Sequence, residues 1–284
     1  MRVPLRLIAA TIWALLAAPA RSACQPQVIA QLPVPLLAEV SGMVRGGSGN
    51  FWWFINDSGD GAHLYAVDDS SKLKGKVSVA GANNVDWEDL AAGRCPDGNG
   101  RCLFIGDIGN NALKRQDLAI YVVREPEPVS GKAEVLLALP LRYPDRPADA
   151  EALVYDEQNR QLVLFTKEFS GLSRVYARSL TPAETVLKPI ARLDLSEREI
   201  GDNLLSGASI SPDGKILMLR SYFTAFRWQR GAAENWEQLL ARAPEAIALE
   251  KEPQGEALAT DGNEGHFFTT SEVKPILMRY PCKL

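Results

Sequence analysis

The sequence predicts an all-β fold, a five-bladed β-propeller of four-stranded blades closed by its N-terminal strand. Three observations carry this expectation. A unit of short apolar strands recurs five times; turn residues punctuate each copy; and the strand missing after the last copy stands at the start of the chain.

Each unit opens with a short apolar strand preceded by small or acidic residues. The five openings are Glu39-Val40-Ser41-Gly42-Met43-Val44, Asp86-Trp87-Glu88-Asp89-Leu90, Ala150-Glu151-Ala152-Leu153-Val154, Leu205-Ser206-Gly207-Ala208-Ser209-Ile210 and Gly255-Glu256-Ala257-Leu258-Ala259. Turns such as Pro212-Asp213-Gly214 and Asp261-Gly262-Asn263 follow, with the Gly, Asn and Asp that tight hairpins favour. Second strands are expected over 51–57, 103–107, 161–168, 216–221 and 266–272. Third strands fall over 62–67, 118–124, 173–179, 225–230 and 275–280. Fourth strands fall over 76–80, 135–141 and 189–195, with a weaker run over 236–241. The anchors Ser41, Glu88, Glu151, Ser206 and Glu256 are spaced 47 to 63 residues apart, the scale of a propeller blade. The fifth unit lacks a fourth strand, and residues 27–32 would supply it from the other end of the chain. Trp52, Trp53, Trp228 and Trp236 are expected to fill the spaces between units.

The first residues read as an export signal. Arg2 and Arg6 give a basic start, residues 7–18 are apolar, and Ala18-Pro19-Ala20 offers a cleavage site. The expected division is a signal peptide over 1–20 and one propeller domain over 21–284, secreted or periplasmic. Arg21 disfavours lipid attachment at Cys24, and no apolar run is long enough to span a membrane. Removing residues 1–20 moves the net charge from −4 to −6, which argues against nucleic acid as a partner. Four cysteines in an exported chain suggest two disulfides. Cys95 and Cys102 bracket a turn-rich hexapeptide, and a Cys24–Cys282 bridge would staple the closing strand to the last unit; the other connectivities remain open. Zinc at Cys95 and Cys102 would need two more ligands, and only His63 and His266 are present.

In an up-and-down blade the start of the first strand and the end of the second share one sheet edge, and those edges surround one mouth of the channel. A convergent polar ring is therefore expected from Ser41, Asn56, Asp57, Glu88, Asp89, Asp107, Glu151, Lys167, Glu168, Ser206, Arg220, Ser221, Glu256, Ser271 and Glu272. Ligand contacts are expected from Asp57, Trp87, Glu88, Asp107, Glu151, Lys167, Arg220, Glu256 and Glu272. Crowded carboxylates must be neutralised by protons, by Lys167 and Arg220, or by a bound cation. Ca²⁺ takes six to eight oxygens, and Asn56, Asp57, Glu88, Asp107, Glu151 and Glu256 are its candidate ligands. A structural salt-bridge network is the other reading of the same residues. Trp87 among carboxylates suits stacking on a sugar or a cation, or packing between blades. The chain has no H-E-x-x-H, G-x-S-x-G or Walker motif, and Gly106-Asp107-Ile108-Gly109-Asn110-Asn111 lacks the spacing of a phosphate loop.

The strings N-D-S-G-D, D-W-E-D and G-D-I-G-N-N, with E-A-L-V-Y-D before T-K-E, resemble a group of bacterial secreted proteins described only as propeller-like. The blade openings are more distantly similar to SdiA-regulated and phytase-like esterase propellers. The first resemblance covers most of residues 36–280 and implies a propeller and an exported location. The second implies Ca²⁺-dependent phosphoester hydrolysis, without a catalytic set that matches residue by residue. The expectation is an exported propeller that binds a small molecule, glycan or protein partner at an acidic mouth with Ca²⁺. The alternative is a Ca²⁺-dependent hydrolase of an ester, lactone or phosphoester, with Glu88, Asp107, Glu151 and Glu256 around the metal.

Overall fold

The computed structural model of the protein describes residues 24–262 and 264–282, and the expected signal segment lies outside them. The chain runs through β1 (Gln27–Gln31), β2 (Val40–Arg45), β3 (Trp52–Asn56), β4 (His63–Val67), β5 (Leu73–Ala80), β6 (Trp87–Arg94), β7 (Arg101–Asp107), β8 (Ala119–Arg124) and β9 (Gly131–Pro140). It continues through β10 (Ala150–Asp156), β11 (Gln161–Thr166), β12 (Leu172–Ser179), β13 (Lys188–Asp194), β14 (Gly207–Ile210), β15 (Ile216–Arg220) and β16 (Thr224–Gln229). After helix α1 (Trp236–Leu240) come β17 (Glu245–Ala248), β18 (Gly255–Thr260), β19 (Phe267–Ser271) and β20 (Ile276–Tyr280).

The architecture is all-β and propeller-like. Three sheets are four-stranded, ordered β10-β11-β12-β13, β14-β15-β16-β17 and β18-β19-β20-β1. In the last, β1 pairs antiparallel with β20, so the N-terminal strand completes the C-terminal sheet as its spacing suggests. A Cys24–Cys282 disulfide ties the same two segments, and Cys95–Cys102 closes the turn between β6 and β7. First strands touch one another in the cyclic order β2, β6, β10, β14, β18 and back to β2. Inner strands such as β10 and β18 are buried along their whole length, whereas outer β9 alternates between buried and exposed. Among the described residues, five apolar clusters fill the gaps between successive units, and Trp52, Trp53, Trp228 and Trp236 all lie within them.

Two features depart from the sequence expectation. The first two units are not separate sheets: β5 pairs in parallel with the first half of β9, giving one eight-stranded sheet. The second half of β9 pairs with β8, so one strand serves both units. Gly75 permits the approach, since a Cβ there would lie 2.3 Å from the carbonyl carbon of Val129. The second departure is at 236–241, which is helical. Asn235 caps α1 and shares a reciprocal capping box with Gln238. Trp236, Leu239 and Leu240, spaced for one helical face, enter the core between the third and fourth units. The outer strand of the fourth unit is β17 instead.

Candidate functional site: an acidic mouth

The mouth is built by a repeated irregularity. Register between first and second strands shifts across Ser41, Glu88, Glu151 and Glu256, so each sits at a bulge at the start of its strand. A bulge re-aims the extra residue away from the regular alternation. The residues with short side chains tie neighbours together: Ser41 Oγ donates to the Trp87 carbonyl at 2.6 Å, and Ser206 Oγ to that of Gly255 at 2.9 Å. The glutamates converge with the second-strand ends.

Asp57, Asp86 and Glu88 bring carboxylate oxygens within 4.8 Å of one another, and Glu88, Asp149 and Glu151 form a second such group. Glu88 belongs to both. Gly109 makes room for them, since a Cβ there would lie 2.1 Å from Glu88 Oε1 and 2.5 Å from Asp86 Oδ2. Lys167 Nζ sits 2.6 Å from both oxygens of Glu151 and 5.4 Å over the Tyr222 ring. Burial lowers the Lys167 ammonium, but Glu151 and then Tyr222 more than offset this, so its pKa is raised. Gln254 donates to Glu272 at 2.7 Å, and the Asn110 amide donates to Asp149 at 2.7 Å.

This crowding holds the carboxyls towards their neutral forms. Burial, reinforced by Glu151, Asp57, Glu256 and Asp86, raises Glu88 well above the ordinary range. Burial outweighs the attraction of Lys167 and pushes Glu151 up to about 8. Burial and then the charge of Asp57 bring Asp86 to about 6. Burial with Glu272 and Glu151 raises Glu256 well above its usual value, and burial brings Glu272 to about 7. Asp57 and Asp149 are raised by burial as well.

The structure therefore brings together Asp57, Glu88, Glu151, Lys167, Glu256 and Glu272 from the expected set. Four expected members stand apart, and these are corrections. Asn56 directs its amide to the Leu36 carbonyl at 3.0 Å and to Asp60 at 2.9 Å. Asp107 is engaged by Arg115 at 2.8 Å and by the Asp86 amide at 3.0 Å, and it belongs to neither carboxylate group. Arg220 is fully buried, paired with Glu252 at 2.9 Å and donating to the carbonyls of Ala257 and Thr270. Trp87 is fully buried in the cluster between the first two units, its indole N–H donating to the Asn83 carbonyl. Of the remaining ring candidates, Glu168 pairs with Arg174 at 2.7 Å, and Asp89 is fully buried among first strands. Asp89 accepts from the amides of Leu90, Leu153 and Ala208 at 2.8, 2.7 and 3.2 Å, linking three first strands.

Asp86, Asp149 and Tyr222 are members that the sequence reading missed. A signal was present for two of them: Asp86-Trp87-Glu88 and Asp149-Ala150-Glu151 repeat a D-x-E at the same place in consecutive units.

The residues fit a hard divalent cation. Each group gathers three carboxylate oxygens within 4.8 Å of one another, close enough to converge on one ion of the Ca²⁺ class, whose ligands are carboxylate and carbonyl oxygens. A cavity of about 450 Å³ opens at the other end of the first strands, between Leu90, Leu153, Ala208 and Ala259. Its rim arginines are paired already, Arg45 with Asp69, Arg94 with Glu157 and Arg101 with Glu125.

No protein-family model matches the chain, and no curated protein matches it in sequence. Among solved structures, the PQQ-bound aldose sugar dehydrogenase from Streptomyces coelicolor is 9% identical with a TM-score of 0.53, covering 90% of this chain and 98% of that one. A glutaminyl cyclase from Myxococcus xanthus is 11% identical with a TM-score of 0.52, covering 89% and 94%. At these identities the likeness is one of fold, and it places the chain beside propeller-type proteins over nearly its whole length.

Proposed function

We propose that this chain is an exported five-bladed β-propeller that holds a divalent cation, Ca²⁺ by the hardness of its ligands, in the acidic mouth and presents it to a ligand. The cyclic packing of five first strands supports the blade count. The two disulfides support an oxidising compartment. The observation that carries the reading is the pair of carboxylate groups sharing Glu88, which among the described residues have the Lys167 ammonium on Glu151 and the Arg115 guanidinium nearby as their cations. A structural salt-bridge network would match each acid with a base; here, among the described residues, the acids outnumber Lys167 and Arg115, and burial and then their crowding raise the pKa of Glu88 and Asp86. Asp57, Asp86, Glu88, Asp149 and Glu151 would hold the ion, which would polarise an oxygen of the ligand. Glu256 and Glu272 would line the approach.

Calorimetric titration of chelator-treated protein with CaCl₂ tests this directly. A saturable heat and a raised melting temperature are expected, with Glu88→Gln weakening affinity at least about tenfold, the scale of one lost charged ligand. Absence of heat and of any thermal shift with Ca²⁺, Mg²⁺ and Mn²⁺ would sink the cation reading. Hydrolysis is the second reading, favoured by Glu272, which lies outside both carboxylate groups with its carboxyl near 7, suited to proton transfer at neutral pH. Turnover of an ester, lactone or phosphoester that Glu272→Gln abolishes without loss of calcium binding would establish it.

A further inference from the structure

Another cavity of about 450 Å³ opens beside the mouth, between the segment leading into β2 and the turn after β3. Asn56, which the mouth does not use, lines it and is only 5% exposed. Both amide hydrogens of Asn56 are committed, to the Leu36 carbonyl and to Asp60 Oδ2, and its Oδ1 has no donor among the described residues. Reversing the amide would set its oxygen against a carbonyl and a carboxylate, so the orientation is fixed. Buried acceptors are nearly always satisfied, and an orphan on a cavity wall calls for a donor from outside the chain. The charges around Asn56 suit a cationic donor. Asp60 accepts from the Tyr65 hydroxyl at 2.6 Å, from Asn56 Nδ2 at 2.9 Å and from the Gly61 amide at 2.7 Å. Burial opposes its ionisation, but these donors outweigh burial and hold the Asp60 carboxyl below its usual value. The Glu39 carboxylate also lines the cavity and makes no hydrogen bond or salt bridge among the described residues. Its charge adds to the effect of burial in raising Asp57 and Glu272, so an ammonium beside it would relieve repulsion.

We propose that this cavity binds a small organic cation, a primary ammonium on a short aliphatic stem. The ammonium donates to Asn56 Oδ1 and Glu39 beside the ionised Asp60, and the stem lies against Pro35, Leu36 and Ala38. The site goes beyond the reading of the mouth and does not depend on a metal there. Two carboxylates and one ammonium, that of Lys76, line the cavity, so its charge disfavours an anion. Lys76 stands at the same wall, with Nζ 5.2 Å over the Tyr65 ring and no salt bridge among the described residues. A cationic ligand meets that one like charge and two opposite ones.

The test is a ligand-observed NMR titration of the oxidised protein, in EDTA at neutral pH, with pentylamine, methylamine, pentanol and valerate. Saturable binding of pentylamine is expected, weaker for methylamine and absent for pentanol and valerate. Glu39→Gln should weaken pentylamine about three- to tenfold, the loss of one charge-assisted hydrogen bond. Lys76→Met should tighten it about two- to fourfold by removing a like charge. Glu88→Gln, the variant that weakens calcium, should leave pentylamine binding where it was. Pentanol binding as well as pentylamine would overturn the ammonium, and equal affinity for methylamine would overturn the stem. Weakening by Glu88→Gln with none by Glu39→Gln would assign the amine to the acidic mouth and overturn this site. No binding of pentylamine would overturn it too, whatever calcium does in its own titration, so the two readings fail separately.

Discussion

Glu88 and Asp89 are adjacent in the sequence and do opposite things, because a bulge separates their directions. Glu88 enters a crowd of carboxylates and, among the described residues, has no salt bridge, whereas Asp89 satisfies three backbone amides from three first strands. Asp89→Ala leaves those amides unpaired in a buried site. A loss of about 3 kcal/mol or more is expected in urea unfolding, and a loss within experimental error would show that water replaces the carboxylate. The mouth has its own pH signature. Asp86, Glu272 and Glu151 reach about 6, 7 and 8 in the cation-free fold, above their unfolded values near 4. The folded state therefore binds more protons than the unfolded one through this window, so stability is greatest at its acid end and falls as pH rises. Chelator-treated protein should melt at a lower temperature at pH 8 than at pH 5. Saturating calcium selects the ionised carboxylates, so it should remove the decline and bind more tightly as pH rises. A cation-free melting temperature that rises between pH 5 and 8 would contradict this account.

At the scale of elements, the first strands were readable from apolar runs and turn residues, because burial on both faces leaves little freedom in composition. The bulges were not readable as such; the small or acidic residue at each strand start was their trace. Outer elements were harder. The run from Trp236 to Leu240 is apolar enough for a strand, but Asn235 and Gln238 form a capping box that a strand cannot use. The parallel seam between β5 and β9 depends on two edges meeting, which one strand's pattern does not record. Gly75→Val places a branched side chain against Val129 and should cost about 1–3 kcal/mol as an overpacked contact. The shift is read as a lower urea midpoint, and an unchanged midpoint would mean the seam contributes little.

Across the whole molecule, closure joins the two ends of the described chain. The Cys24–Cys282 bridge spans 258 residues and the Cys95–Cys102 bridge spans 7, so loop entropy assigns about 5.5 kcal/mol to the first against about 2.5 to the second. Unfolding of Cys24→Ser/Cys282→Ser should show the larger loss, and equal losses in the two double variants would refute an entropic role for ring closure. The same closure brings Glu272 within the field of Glu39 and Asp57, and Glu256 within that of Glu151, so the acidic mouth is complete only when the last sheet meets the first.

The sequence by itself determined the repeat, the closing strand and the edge on which the acids gather, and it offered the two disulfide pairings among three that were open. Those follow from local rules: hairpin turns, strand burial and the up-and-down order of each unit. Only the tertiary structure decided which polar residues meet. Arg220, Trp87 and Asp107 occupy the right sheet edge, yet each is claimed by a neighbour: Glu252 for the first, the apolar gap between units for the second, Arg115 for the third. Asp86 and Asp149 lie just before their strands, and the mouth takes them in because Gly109 leaves room and Asn110 orients Asp149. Side-chain direction at a bulge, and the partner that reaches a charge first, are set by contacts between units distant in sequence, and no spacing within a unit encodes them.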